Sequence, residues 1–130
     1  MRTVTERIDL DAPLAEDFHG VVRLIIVGIA ERADLGFEDF DDLQLAVERL
    51  LAEAGSQERV SLSFEVGDRN IRARIGPLSE STIADALQNP EGAPGELTLR
   101  RILSAVVDSF GVEESAGGEI VVRLEKVTGR

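Results

Sequence analysis

Residues Leu43–Ala54 read LQLAVERLLAEA, and the fold turns on this stretch. Leu43, Ala46, Val47, Leu50, Leu51 and Ala54 recur at three- and four-residue spacing, the apolar stripe of an amphipathic helix. The helix reaches back to Glu38, because Glu38, Asp39, Asp41 and Asp42 put negative charge at the positive end of its dipole. Gly55-Ser56 ends it, and the period then changes from 3.6 to 2. Val60, Leu62, Phe64 and Val66 alternate with Ser61, Ser63 and Glu65, which predicts a strand with one wet side. Gly67-Asp68-Arg69-Asn70 supplies a turn, and Ile71, Ala73 and Ile75 continue the apolar face on a partner strand.

Upstream, Phe18, Val21, Val22, Ile25 and Ile29 predict an amphipathic helix over Leu14–Arg32, with Asp11-Ala12-Pro13 as its start. Val4–Leu10 reads as an opening strand, and Gly36 in ADLGF is placed to cap the first helix in a left-handed conformation. Downstream, Ser79–Leu87 predicts a short helix, while Asn89–Gly95, with two prolines and two glycines, is too punctuated for regular structure. Leu99, Ile102, Leu103, Val106 and Phe110 predict a helix over Leu97–Ser109. Val112–Glu114, Gly117-Gly118 and Ile120–Val127 close the chain as a hairpin. This order predicts one α+β domain over residues 1–130. It is a two-layer sandwich of a mainly antiparallel, mixed sheet with about three helices on one face.

Composition narrows the function. At 130 residues and 43% hydrophobic, the chain holds one real core. Val21–Ala30 is too short and too interrupted, by Arg23 and Gly28, to span a membrane. MRTVTERIDL lacks the apolar region of a signal peptide, so a cytoplasmic location is expected. With no cysteine and His19 alone, neither a disulfide framework nor a thiolate or histidine metal site is available. A net charge of −11 disfavours direct nucleic-acid binding, whose usual footprint is basic.

The frame Leu43, Leu45, Ala46, Val47 and Ala54 resembles the nucleotide-binding helix L-x-L-A-V-x-E-x-x-x-N-A of the anti-sigma-factor serine kinases. These belong to the GHKL (Bergerat-type) ATPase group. Val22-Arg23-Leu24, the ADLGFEDFDDL run, and Leu99–Phe110 followed by the hairpin through Arg123-Leu124 resemble the family too, as does the element order. In the family the helix Glu polarises the attacking hydroxyl and the Asn ligates Mg²⁺. Here Arg49 and Glu53 stand in those places. The adenine motif D-x-G-x-G maps to Arg74-Ile75-Gly76-Pro77-Leu78, where a donor-only guanidinium replaces the accepting carboxylate. The phosphate-holding glycine box maps to Gly92-Ala93-Pro94-Gly95-Glu96-Leu97, where Pro94 removes a donor and Glu96 adds like charge. The expectation is a vestigial, non-binding nucleotide pocket at Arg49, Glu53, Arg74, Gly76, Gly92 and Gly95, with no catalytic residue, metal or cofactor.

The resemblance implies a catalytically degenerate bacterial anti-sigma-type regulator. Its partner would be a sigma factor or a STAS anti-anti-sigma protein, in a family whose domain commonly forms a homodimer. Two alternatives stand beside it. One is an active ATP- and Mg-dependent serine kinase or ATPase using Glu48 or Glu53; the other is an unrelated α+β domain for a small ligand.

Individual residues also have plainer readings. Arg49 fits a solvated helix flank, paired with Glu53 at i+4. Glu48 is turned about 100° from the family's catalytic position. The acidic run Glu38–Asp42 suits capping better than metal, and Ser79, Ser81 and Thr82 suit capping better than phosphorylation. His19 fits solvent. Arg72 and Arg74 fit an exposed sheet face, where with Arg123 they could form a binding ridge; that ridge and the first helix are the candidate contact surfaces.

Overall fold

A computed structural model describes residues 6–14, 18–54, 57–79, 83, 86–87 and 98–127. Five strands make one sheet in the order β1-β2-β3-β5-β4: β1 Glu6–Pro13, β2 Arg59–Gly67, β3 Asn70–Leu78, β4 Ser109–Glu114 and β5 Ile120–Val127. All four pairings are antiparallel, so among the described residues the sheet carries no parallel step. The period-2 pattern explains the layering. Leu62, Phe64, Ile71, Ala73, Ile75, Val122 and Leu124 are buried, whereas the alternate positions Arg72, Arg74 and Arg123 are exposed. The helices α1 His19–Arg32, α2 Phe37–Glu53 and α3 Leu99–Val106 cover the apolar face. Ile26, Leu43, Val47, Leu50 and Leu103 close the core from above. Each such side chain contributes about 1.5–3 kcal/mol by leaving water. Ile83, Ala86 and Leu87 are helical, and Ile83 and Leu87 are buried in the same core.

The structure departs from the sequence reading at element ends. β1 runs on through Asp11-Ala12-Pro13, which pair with Ser61, Val60 and Arg59, and Leu14 N–H still donates to Glu58 O at 2.8 Å. The first half of β2 needs a partner, and an edge strand tolerates a terminal proline. The first helix therefore starts at His19 rather than Leu14.

Its cap also differs. Asp34, not Gly36, takes the positive φ (58°). Leu35 N–H donates to Ala30 O and Asp34 N–H to Glu31 O, the paired bonds of a Schellman ending. Gly36 is instead the extended N-cap of α2.

The last helix stops at Val106, because Val107 turns extended and Asp108 N–H donates to Glu125 O, joining the ladder. Phe110 thus belongs to β4, opposite Leu124. Thr98 caps α3, its hydroxyl accepting from Arg101 N–H at 3.2 Å. The Gly67–Asn70 turn and the Gly117-Gly118 turn are as predicted, both glycines of the latter at positive φ. Gly55-Ser56, Ser81, Thr82 and Asn89–Gly95 lie outside the described residues.

Candidate functional site

One flank of α2 carries Asp39, Asp42, Arg49 and Glu53 beside the buried Ala46. At its N-terminal end sits Lys126, the one lysine, at 8% exposure. Its ammonium lies 3.6 Å from Asp39 and 3.3 Å from Asp42 and donates to Val106 O at 2.9 Å. One cation thereby ties the acidic first turn of α2 to β5 and the end of α3. Among the described residues, no group of acidic or histidine side chains has the arrangement of a metal site.

Further along, Arg49 pairs with Glu53 at 3.6 Å, and the Arg49 Nε is buried without a hydrogen-bond partner. Glu48 points elsewhere. It accepts from Arg23 of α1 at 2.7 Å and from Gln44 at 3.1 Å, pinning the two helices together.

The opposite surface of the protein is the open sheet face. Arg74 and Arg123 stand directly across from each other on β3 and β5 and share one carboxylate, Glu113, at 2.6 and 2.9 Å. Arg72 pairs with Glu125 at 3.5 Å. A depression of about 300 Å³ lies among Ser63, Arg72, Arg74, Ser109, Arg123 and Glu125. Gly111 leaves room for the Arg123 guanidinium: a Cβ there would stand 2.4 Å from Arg123 Nη2. The arginine ridge is therefore assembled, with acidic partners interleaved.

Of the six expected pocket residues, the four that the structure describes, Arg49, Glu53, Arg74 and Gly76, are not gathered into one place. Arg49 and Glu53 lie on α2, on the helical side of the sheet, while Arg74 projects from the other side. The β3 residues facing the helices are Ile71, Ala73 and Ile75, all buried. That parity was in the sequence, and the motif match ran against it. Gly76 lines an open-face depression with Arg74. It lets β3 approach β5 at a register shift, where an added Cβ would meet Ile120 O at 2.8 Å. Gly92 and Gly95 lie outside the described residues. The sequence signal for Lys126 is its inward parity, which it shares with Val122 and Leu124.

The N-terminal strand holds the shifted carboxyls. The Arg32 guanidinium hydrogen-bonded to Glu6 holds that carboxyl below its usual range and raises Arg32 in turn. A hydrogen bond from Ser63, then one from Arg7, lowers Asp9. These groups are solvent-exposed. His19 faces solvent at the start of α1 only in part, with a half-buried side chain.

Comparison with known proteins places the fold. No family model and no curated protein matches the chain. A crystal structure of the RsbU and RsbW domains of Rv1364c from Mycobacterium tuberculosis aligns over 94% of this chain with a TM-score of 0.64 at 14% identity. The chain spans 32% of that chain's length. At that identity the likeness is one of fold alone, an α+β sandwich. No helix among the described residues is long and apolar enough to cross a membrane.

Proposed function

We propose that the protein is an anti-sigma-type regulator that acts by binding a protein partner, a sigma factor or a STAS protein, in the cytoplasm and without nucleotide turnover. The observation that carries this reading is the state of α2. Its apolar frame resembles that of the anti-sigma kinases and is buried at Leu43, Ala46, Val47 and Ala54, with Leu45 exposed (42%), while the two reactive positions are occupied by Arg49 and Glu53, bonded to each other. The shared fold with a structure containing RsbU and RsbW domains supports the same class.

A kinase using Glu48 or Glu53 would first have to free Glu48 from Arg23 and Gln44, or Glu53 from Arg49. The arginine-bearing sheet face, Arg72, Arg74 and Arg123, is the partner surface in this reading. Calorimetric titration with Mg-ATP at millimolar nucleotide tests the chemical half of the claim. No saturable heat is expected, and a saturable isotherm would transfer the assignment to the ATP-dependent alternative.

A further inference from the structure

The outward face of the sheet is laid out in rungs. In one rung Arg7, Glu65, Arg72 and Glu125 stand side by side on β1, β2, β3 and β5, so every arginine has a carboxylate neighbour. The next rung reads Asp9, Ser63, Arg74, Arg123 and Gly111. There the alternation fails: two arginines face each other directly, with serine on one side and glycine on the other. Like charges in that position destabilise a strand pair. A local choice that works against the fold marks a functional position.

The sheet sets a single carboxylate against the two cations. Glu113 of β4 reaches diagonally to Arg74 at 2.6 Å and to Arg123 at 2.9 Å. Two guanidiniums bring many more N–H donors than the roughly four acceptor sites of one carboxylate, so Glu113 cannot satisfy the pair. The three groups together keep a net positive charge. Beside them lies the depression of about 300 Å³, which Arg72 also lines. That volume is at the lower end of the range for small-molecule sites. Over the outward strand positions, Arg7, Arg59, Arg72, Arg74 and Arg123 balance Asp9, Asp11, Glu65, Glu113 and Glu125. The excess charge of −11 therefore lies elsewhere, and this face is where an anion can approach.

We propose that Arg74 and Arg123 bind a small polycarboxylate, one of whose carboxylates takes the place that Glu113 holds in the free protein. Glu113 itself shows that a carboxylate fits between the two guanidiniums, and charge-assisted bonds to arginine are the strong ones. A second carboxylate on the ligand reaches toward Arg72, about 6–7 Å along β3. That gives the ligand an advantage over Glu113 that a single carboxylate lacks. In the free protein Glu113 competes with the ligand, so the apparent affinity is lowered by the fraction of sites it fills. The site goes beyond the regulatory reading above, since it needs no partner protein, and its failure would leave that reading standing.

Calorimetric titration with citrate at constant ionic strength measures the binding, and the arginine Nε–H signals in NMR spectra place it. A saturable isotherm with a dissociation constant of about 1 mM or tighter is expected for a ligand of that size. The signals of Arg74 and Arg123 should move together and saturate with it. Acetate, with one carboxylate, should bind at least about tenfold more weakly. Glu113→Gln removes the internal competitor and should tighten citrate binding about fivefold or more. Arg123→Gln, and separately Arg74→Gln, should weaken it at least about tenfold while the fold is kept, because each also relieves the like-charge contact. Citrate that leaves the two signals unmoved, shifts spread evenly over all the arginines, acetate or inorganic phosphate binding as well as citrate, or a Glu113→Gln protein that binds no tighter overturns the proposal.

Discussion

Replacing Lys126 by methionine keeps the length of the side chain and deletes its charge. In the structure Lys126 is 8% exposed, and its ammonium holds Asp39 and Asp42 at 3.6 and 3.3 Å and donates to Val106 O at 2.9 Å. Removing one partner of a fully buried ion pair costs about 3–5 kcal/mol, because the other charge is left uncompensated. Here the carboxylate side chains are 29% and 40% exposed and regain part of their hydration, so solvent screening takes away about half of that cost. Methionine also packs well. The expected loss is about 2 kcal/mol, or about 6–10 °C in Tm for a domain of this size. The chain has no tryptophan or tyrosine, so urea or thermal unfolding is followed by far-UV circular dichroism. Adding Asp42→Asn to Lys126→Met should recover a measurable part of the loss, since the nearer of the two carboxylates around the lost ammonium is then neutral. A Lys126→Met protein as stable as the wild type would refute the view that this cation ties α2, α3 and β5 together.

Gly76→Ala is expected to cost about 1–3 kcal/mol by overpacking, because its Cβ would stand 2.8 Å from Ile120 O and 3.1 Å from Val121 Cα, both backbone atoms. Chemical denaturation reads this, and an unchanged midpoint contradicts it. Thr98→Ala should lose about 1 kcal/mol with the cap on α3, visible in the same assay. Arg49→Ala should change stability by no more than about 0.5 kcal/mol, because its i,i+4 pair with Glu53 is partly exposed and its buried Nε makes no hydrogen bond that would be lost. Glu6 and Asp9 have lowered folded-state pKa values, so their contribution is complete above their ordinary carboxylate range and is lost as pH falls below it. Hydrogen exchange should therefore show β1 loosening on acidification below about pH 4.5, with Glu6→Gln flattening that dependence.

Periodicity carried most of the fold. Val60–Val66 and Ile71–Ile75 alternate because one sheet face is dry and the other wet, and the same alternation puts Arg72, Arg74 and Arg123 on one face. The α2 stripe was equally plain. Element ends were harder, because they depend on tertiary partners. Pro13 stays in β1 since Arg59 is there to pair with it, and Phe110 leaves the helix since Leu124 waits on β5. A helical spacing from Val106 to Phe110 cannot reveal that. Asp34 took the left-handed cap beside an available glycine, a choice fixed by where α2 begins. The expected pocket was the least legible part. Motif alignment compares positions along the chain, whereas a strand sends neighbouring side chains to opposite faces, and Arg74 went to the wrong one for a site shared with Arg49.

Partner binding is the centre of the account, and a titration of the purified protein with the sigma factors and STAS proteins of its own genome, with and without Mg-ATP, tests it most directly. The account predicts saturable binding of at least one of them tighter than ~10 μM, about −6.8 kcal/mol, unchanged by nucleotide and weakened by Arg74→Glu with Arg123→Glu. Affinity weaker than that for every candidate, or binding that requires Mg-ATP, would contradict it.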